Sequence, residues 1–98
     1  MAEIPDRLDA DGISAGLVAL EGWTLREGKL HKEFVFEDFV TAFAFMSGAA
    51  LCAERANHHP EWSNVYKRVS VDLWTHEAGG ITEYDFALAA EMDRLAAR

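Results

Sequence analysis

The chain has 98 residues and a formal net charge of -8, from 17 acidic and 9 basic side chains. A chain of this length predicts a single domain over residues 1–98, because domains usually need about 100 to 200 residues. Half of the residues are hydrophobic, which is enough for a packed core and unlike a disordered chain. The acidic balance disfavours direct binding to nucleic acids or anionic membranes, whose phosphates would repel it.

The cysteine content and the N-terminal stretch indicate where such a protein would work. Cys52 is the only cysteine, so no intrachain disulfide can form and nothing calls for an oxidising compartment. Four acids within the first 11 residues interrupt any apolar run of the signal-peptide type. No stretch approaches the roughly 20 apolar residues of a membrane span. We therefore expect a soluble cytoplasmic protein with no membrane partner.

The first third of the chain predicts a helix followed by a β-hairpin. Apolar residues at helical spacing predict a short helix over residues 13–21. Residues 23–26 then alternate between apolar and polar up to a turn at Gly28. Beyond the turn, Leu30 and Phe34 share one parity while the other parity is mostly polar, which predicts a strand with one wet face.

From Asp38 the apolar spacing becomes that of a helix. One stripe recurs at steps of four, three and four residues and identifies the main helix: Phe39, Phe43, Met46 and Ala50. Asp38 is a suitable N-cap, and Pro60 limits the other end because a proline drives the preceding residue towards extended geometry. The helix is therefore predicted to end near Asn57.

The last third predicts two strands and a final helix. Val69, Val71 and Leu73 share one parity in a strand that we expect to end at His76, with residues 64–67 as a short partner strand. Thr82 followed by Asp85 resembles a capping box with Asp in place of Glu or Gln. The apolar stripe of the helix that follows is Tyr84, Leu88, Met92 and Leu95.

The order helix, two strands, helix, two strands, helix predicts an α+β domain. Its sheet should be antiparallel and four-stranded, with the three helices packed on one face. We find no internal repeat, linker or low-complexity segment in the sequence.

Three of the four histidines lie close to carboxylates in one stretch of the chain. His58 and His59 follow Glu54 near the predicted helix end, and His76 precedes Asp85. Histidine gives and takes protons near neutral pH, because its unperturbed pKa is about 6.5. Each feature alone also has a structural interpretation: paired histidines after a helix can bind its last carbonyls, and the acids can be a solvated charge and a cap.

The complete spacing resembles that of the pterin-4a-carbinolamine dehydratases. A carboxylate is followed, after three residues, by His-His-Pro, after five by an aromatic residue, after nine by His and after eight by Asp. The matching positions span 32 residues without a gap: Glu54, His58, His59, Pro60, Tyr66, His76 and Asp85. His31 lies outside the pattern, and we interpret it as a surface residue.

The resemblance implies a fold, a reaction and roles for particular residues. Family members have a four-stranded antiparallel sheet with three helices, and they convert a 4a-hydroxytetrahydropterin to a quinonoid dihydropterin during tetrahydropterin recycling. The resemblance implies that the catalytic acid/base set is His58, His59 and His76. We predict that the substrate-binding set is Glu54, Trp62 and Asp85: the acids orient imidazoles, and Trp62 either belongs to the core or forms the wall for a flat ring. No cofactor is implied, and relatives assemble as homodimers or homotetramers.

Other interpretations of the sequence remain open. Three histidines and two acids could hold zinc, but adjacent histidines seldom turn both rings onto one ion, so we predict a metal-free site. Some family members act as dimerisation partners of a transcription factor, and a role near molybdenum-cofactor metabolism is a further alternative. Asn57 stands where many relatives carry an acid, which bears on substrate preference more than on reaction class. Cys52 has the character of a small buried hydrophobe.

Overall fold

A computed structural model describes residues 4–97 of the chain. The elements are α1 (Ala10–Val18), β1 (Thr24–Arg26), β2 (Lys29–Val35), α2 (Phe39–Ala56), β3 (Glu61–Val65), β4 (Arg68–Leu73), a short 3₁₀ helix (His76–Ala78) and α3 (Glu83–Ala96). The predicted α+β class and the predicted order of helices and strands are confirmed. The single domain over residues 1–98 stays a prediction, since residues 1–3 and 98 lie outside the described range.

The four strands form one antiparallel sheet in the order β1-β2-β4-β3. Residues that face each other across β2 and β4 include Leu30 with Leu73 and Phe34 with Val69, and all four are buried under the helices. The opposite parity of both strands lies on a polar, partly exposed face. The alternation predicted for both strands is confirmed, because a sheet covered on one side sorts apolar and polar side chains by parity.

α1 begins and ends three residues earlier than predicted. Asp9 caps it by accepting the backbone N–H of Gly12 at 2.8 Å, so its first turn consists of small and acidic residues. An apolar-spacing rule passes over such a turn, because the turn buries nothing.

The ends of α2 are those that the sequence predicts. Asp38 accepts the backbone N–H of Thr41 at 2.8 Å, and Asn57 ends the helix in the left-handed conformation with φ of 52°. Left-handed residues commonly end helices, and Asn tolerates the conformation better than most residues. The chain then leaves the helix through the two histidines and Pro60.

Of the apolar stripe predicted for α2, only Met46 packs against the core. Phe39 and Phe43 are 46% and 54% exposed. The buried side of the helix is formed by other positions, which are Ala42, Phe45, Ala49 and Ala53. Small residues let α2 approach its neighbours closely, and both sides of this helix are apolar, so spacing alone selects the wrong one.

The length and apolar composition of α2 also raise the question of whether it could cross a membrane. Phe39–Ala56 has 18 residues with a mean hydropathy of 1.2, enough by length and composition to cross a membrane, although only weak evidence that it does so. Core helices of globular domains pass the same test. The expectation that no stretch approaches a membrane span is therefore wrong by this test, and the absence of a membrane partner remains a prediction.

The second hairpin is displaced from its predicted position. β3 begins at Glu61, directly after Pro60, and Tyr66 turns the chain with φ of 51° at the far end. β4 ends at Leu73, before the predicted His76. Beyond it, Thr75 pairs with Gly80 around the short 3₁₀ helix, which ends the strand pattern early.

α3 confirms the predicted cap and most of the predicted stripe. The side chain of Asp85 accepts the backbone N–H of Thr82 at 2.9 Å, which completes a capping box. Leu88 and Met92 are buried, whereas Tyr84 and Leu95 are half-buried. Asp85 itself is fully buried, an expensive position for a carboxylate unless hydrogen bonds hold it.

Candidate active site

The most enclosed contact of the site joins the end of α2 to the start of α3. Nε2 of His58 lies 2.5 Å from Oδ1 of Asp85, and the exposed fractions of the two side chains are 10% and 0%. One proton joins these atoms, so Nδ1 is the ring nitrogen of His58 that Asp85 leaves available. The ring of Tyr84 meets the imidazole edge-on, with centroids 5.9 Å apart.

A chain of hydroxyl groups fixes the second oxygen of Asp85. Oδ2 accepts the hydroxyl of Thr75 at 2.9 Å and the backbone N–H of Thr82 at 2.9 Å. Because the only proton of the Thr75 hydroxyl goes to Asp85, the hydroxyl of Thr82 donates to Thr75 across 2.8 Å. Asp85 is therefore both a helix cap and the holder of an imidazole.

The second histidine pairs with the acid on the last turns of α2. Nε2 of His59 lies 2.8 Å from Oε1 of Glu54, with exposed fractions of 57% and 79%. Glu54 lies four residues before His58, which would put the two on the same side of a helix that reached His58, but the structure pairs Glu54 with His59. The left-handed turn at Asn57 explains the difference, because it rotates the chain away from the helical register.

The third histidine lies beside a carboxylate that the motif does not include. Nε2 of His76 is 3.3 Å from Oε2 of Glu61, and this oxygen also accepts the indole N–H of Trp74 at 3.0 Å. The other oxygen of Glu61 accepts the ammonium of Lys29 at 2.7 Å. The Lys29 hydrogen bond, followed by that of Trp74, lowers the pKa of Glu61 to about 2.

The three histidines meet at one open cavity of about 290 Å³. Its lining includes His58, His59 and His76 together with Pro60, Glu61 and Trp74. The volume is at the small end of ligand pockets. The structure thus brings the predicted acid/base set together, while its catalytic role stays a prediction.

Trp62 and Tyr66 lie away from this cavity. Trp62 is opposite Val71 on the helix-facing side of the sheet, where it packs against the core. Tyr66 is at the far end of the second hairpin. The substrate-binding role of Trp62 remains a prediction, but Trp74 is the indole that lines the cavity. Its ring lies 4.0 Å from that of His76.

Two further residues lie in environments that differ from those predicted, since His31 is less exposed and Cys52 less buried than expected. The side chain of His31 is only 18% exposed and lies 3.0 Å from Asp72 on the open face of the sheet. Cys52 is half-buried, with its sulfur 3.9 Å from Oε2 of Glu91 on α3. Neither side chain lines the histidine cavity.

Sequence reasoning overlooked Glu61, Trp74 and Thr75. Trp74 and Thr75 lie just beyond β4 and directly before His76, whereas Glu61 lies at the start of β3 and is brought beside His76 by strand pairing. Their nearness to motif residues in the sequence is the only signal that could have indicated them. Within residues 4–97, no group of three or more His, Cys, Asp or Glu side chains is arranged to hold a metal ion. The metal-free site remains a prediction.

Fold and cavity together define a class: a small α+β domain in which three histidines, each beside a separate carboxylate, line one cavity. The family model described as pterin 4 alpha carbinolamine dehydratase matches residues 6–95. This chain belongs to the pterin-4-alpha-carbinolamine dehydratase family.

Individual relatives cover nearly the whole chain. A protein of Solibacter usitatus named "Putative pterin-4-alpha-carbinolamine dehydratase" is 55% identical, over 93% of this chain and 96% of its own length. One of the same name from Sinorhizobium fredii is 53% identical, over 95% and 90%. A crystal structure titled transcriptional coactivator/pterin dehydratase, from Brucella melitensis, has a TM-score of 0.90 and 45% identity, over 93% of this chain and 99% of that one.

Proposed function

We propose that this protein dehydrates a 4a-hydroxytetrahydropterin to the quinonoid dihydropterin, as a hydro-lyase in tetrahydropterin recycling. The observation that carries the proposal is the meeting of His58, His59 and His76 at one cavity, each beside its own carboxylate. Family membership supplies the substrate class.

The reaction needs two proton transfers and no net oxidation. The bond from C4a to the hydroxyl oxygen breaks as an acid protonates that oxygen, and water leaves. A base takes the proton from N5, whose electron pair forms the new double bond to C4a. Imidazoles suit both steps, and well-placed proton transfer contributes about 10²- to 10⁴-fold to the rate.

The exposure of the rings divides the roles among the histidines. His59 and His76 are 57% and 64% exposed, so they exchange protons with the substrate directly. His58 is buried and held by Asp85 through Nε2. Its Nδ1 atom is available as a third acid/base group. Asp85 is fully buried and acts through His58, while Glu54, 79% exposed beside His59, orients that ring and can meet the substrate.

The cavity also suits a flat heterocycle. The ring of Trp74 forms one wall beside His76, and aromatic faces bind planar ring systems well. No cofactor takes part in this scheme, since the substrate already carries its leaving group. We propose that catalysis is metal-free.

A stopped-flow assay on chemically generated 4a-hydroxytetrahydropterin tests the function. We expect the protein to accelerate water loss well above the uncatalysed rate, and to keep its activity after dialysis against EDTA. No acceleration would overturn the proposal. Activity lost to EDTA and restored by zinc would instead overturn the metal-free mechanism.

We also propose that the chain forms a homodimer or homotetramer. Large apolar side chains on α2 are exposed, Val40 by 74% and Leu51 by 73%, and the strands at both sheet edges have unpaired backbone groups. A domain of this size buries only part of its apolar surface alone. Light scattering at micromolar concentration should give a multiple of 10.9 kDa, and the mass of one chain would reject assembly.

The charge and the cysteine content support proposals on the cellular location and the binding partners. A cytoplasmic location fits a chain with one cysteine, and the net charge of -8 disfavours nucleic-acid and anionic-membrane partners. Cell fractionation with a tagged chain checks the location.

A second function, as a protein-binding module, draws on the exposed apolar side of α2 and on the coactivator title of the Brucella melitensis structure. Normal function in cells of a variant without dehydratase activity would favour it.

A further inference from the structure

Glu61 is held by side chains that come from the ends of three strands. Lys29 begins β2, Glu61 begins β3, and Trp74 directly follows β4, which lies between those two strands. Antiparallel pairing brings all three to the same end of the sheet, where His76 follows. The arrangement is therefore built by the sheet rather than by one flexible loop.

The contacts leave Glu61 little freedom. One carboxylate oxygen takes the ammonium of Lys29 at 2.7 Å, and the other takes the indole N–H of Trp74 at 3.0 Å. The depressed pKa, about 2, keeps this carboxylate ionised at neutral pH. An ionised carboxylate only accepts protons, so Glu61 favours the form of His76 that carries a proton on Nε2, the ring nitrogen 3.3 Å from Oε2.

We propose that Glu61 is the positioning residue of His76, and that Lys29 holds Glu61 in place for this purpose. The carboxylate binds the proton on Nε2, and the ring of Trp74, 4.0 Å away and tilted by 44°, restricts rotation of the imidazole. Nδ1 is then the nitrogen of His76 that exchanges protons with the substrate. The inference rests on the proposed function, because His76 is an acid/base group only there.

The rival explanation is that Lys29 and Glu61 form an ordinary surface ion pair. Such pairs contribute little to stability, and many contribute nothing measurable. The same open face of the sheet offers a matched control: Arg68 lies 3.2 Å from Glu33, and neither residue lines the histidine cavity. A change at Glu33 removes a comparable pair and leaves His76 untouched.

A double-mutant cycle on the full chain separates the two explanations. We expect Glu61→Gln to lower kcat about 10-fold with KM nearly unchanged, as a partial loss of one proton-transfer group. In the His76→Ala background the same change should cost less than about 2-fold, because Glu61 acts through that ring. Lys29→Met should give a smaller loss than Glu61→Gln, and Glu33→Gln none. Equal losses in both backgrounds would overturn the proposal.

Nuclear magnetic resonance spectroscopy of the unliganded protein tests the contact between Glu61 and His76 without an activity assay. Glu61→Gln should shift the Nε2 signal of His76, whereas Glu33→Gln should leave it in place. An unchanged signal in Glu61→Gln would overturn the positioning role whether or not the protein dehydrates pterins. A wild-type protein without dehydratase activity would overturn only the proposed function.

Discussion

Two histidine–carboxylate pairs of this protein have the same chemistry and opposite surroundings. His58 and Asp85 are 10% and 0% exposed, and the carboxylate also caps α3. His76 and Glu61 are 64% and 43% exposed and lie at the mouth of the cavity. The buried pair is part of the folded core, whereas the exposed pair is open to water and to substrate.

The difference shows that, within one site, one histidine–carboxylate pair can stabilise the fold while another is available for proton transfer. Burial makes each lost hydrogen bond at Asp85 costly, because water cannot replace the missing partner. At the exposed pair, water replaces a lost partner and salt screens the charges, so little stability depends on it. Substitutions in the buried pair should therefore change folding, and those at the exposed rings should change activity alone.

The largest effect is expected at Asp85. Asp85→Ala removes the acceptor of three donors, from His58, Thr75 and Thr82, and leaves them buried. We expect a loss of about 3 to 5 kcal/mol in the free energy of unfolding, the usual cost of removing one partner from a buried pair. Urea denaturation followed by circular dichroism measures it.

A second helix cap serves as the control for Asp85. Asp38 is the N-cap residue of α2 and accepts the backbone N–H of Thr41, so it also satisfies a free donor at a helix start, but it holds no histidine. Asp38→Ala should destabilise the protein clearly less than Asp85→Ala does. Equal losses would mean that Asp85 matters only as a cap, and the contrast between the two pairs would fail.

Replacing both exposed histidines should separate activity from folding. The His59→Ala, His76→Ala double variant should lose roughly 10³-fold or more in kcat, since both direct proton carriers are gone. Each single variant should keep measurable activity, because effects within such a unit are not additive. The circular dichroism spectrum should stay native-like. Near wild-type turnover with unchanged pH dependence would instead favour the protein-binding role.

Local signals in the sequence predicted most elements well, and apart from the Asp9 cap of α1 the errors arose where tertiary contacts decide. Caps at Asp38 and Thr82 and the alternation in β2 and β4 are local, so they could be read directly. The core-facing side of α2 could not, because Phe43 and Phe45 are equally apolar and only packing against α3 and the sheet buries Phe45.

The site shows the same division. The histidines could be predicted from their spacing, because the motif fixes them along the chain. Their carboxylate partners could not: Glu54 pairs with His59 rather than His58, since Asn57 turns the chain at the helix end. Glu61 was missed because strand pairing, and not sequence order, sets it beside His76.

A smaller effect is expected from the hydroxyl behind the buried pair. Thr75→Val keeps the shape of a side chain that is 2% exposed but removes its hydrogen bonds to Asp85 and Thr82. We expect about 1 to 3 kcal/mol less stability, the cost of leaving buried polar groups unsatisfied. Thr24→Val, at an exposed position on β1, should have almost no effect in the same denaturation experiment. A loss of similar size at both positions would contradict the role of burial.

The smallest effect is expected from the charge of Glu61, and it has a defined pH window. The pKa of Glu61 is lowered from 4.5 to about 2 in the folded protein, chiefly by the hydrogen bond from Lys29. Its stabilising contribution is therefore fully present above about pH 4.5 and is lost as the pH falls towards 2. The difference in unfolding free energy between wild type and Glu61→Gln should shrink as the pH falls from 4.5 towards 2, and decrease with added salt because the pair is exposed. Urea titrations at matched pH measure this difference, and Glu33→Gln controls for the other acids that titrate in the same range. A difference that persists unchanged down to pH 2.5 would mean that Glu61 stabilises the sheet through packing rather than charge, and the exposed pair would then resemble the buried one.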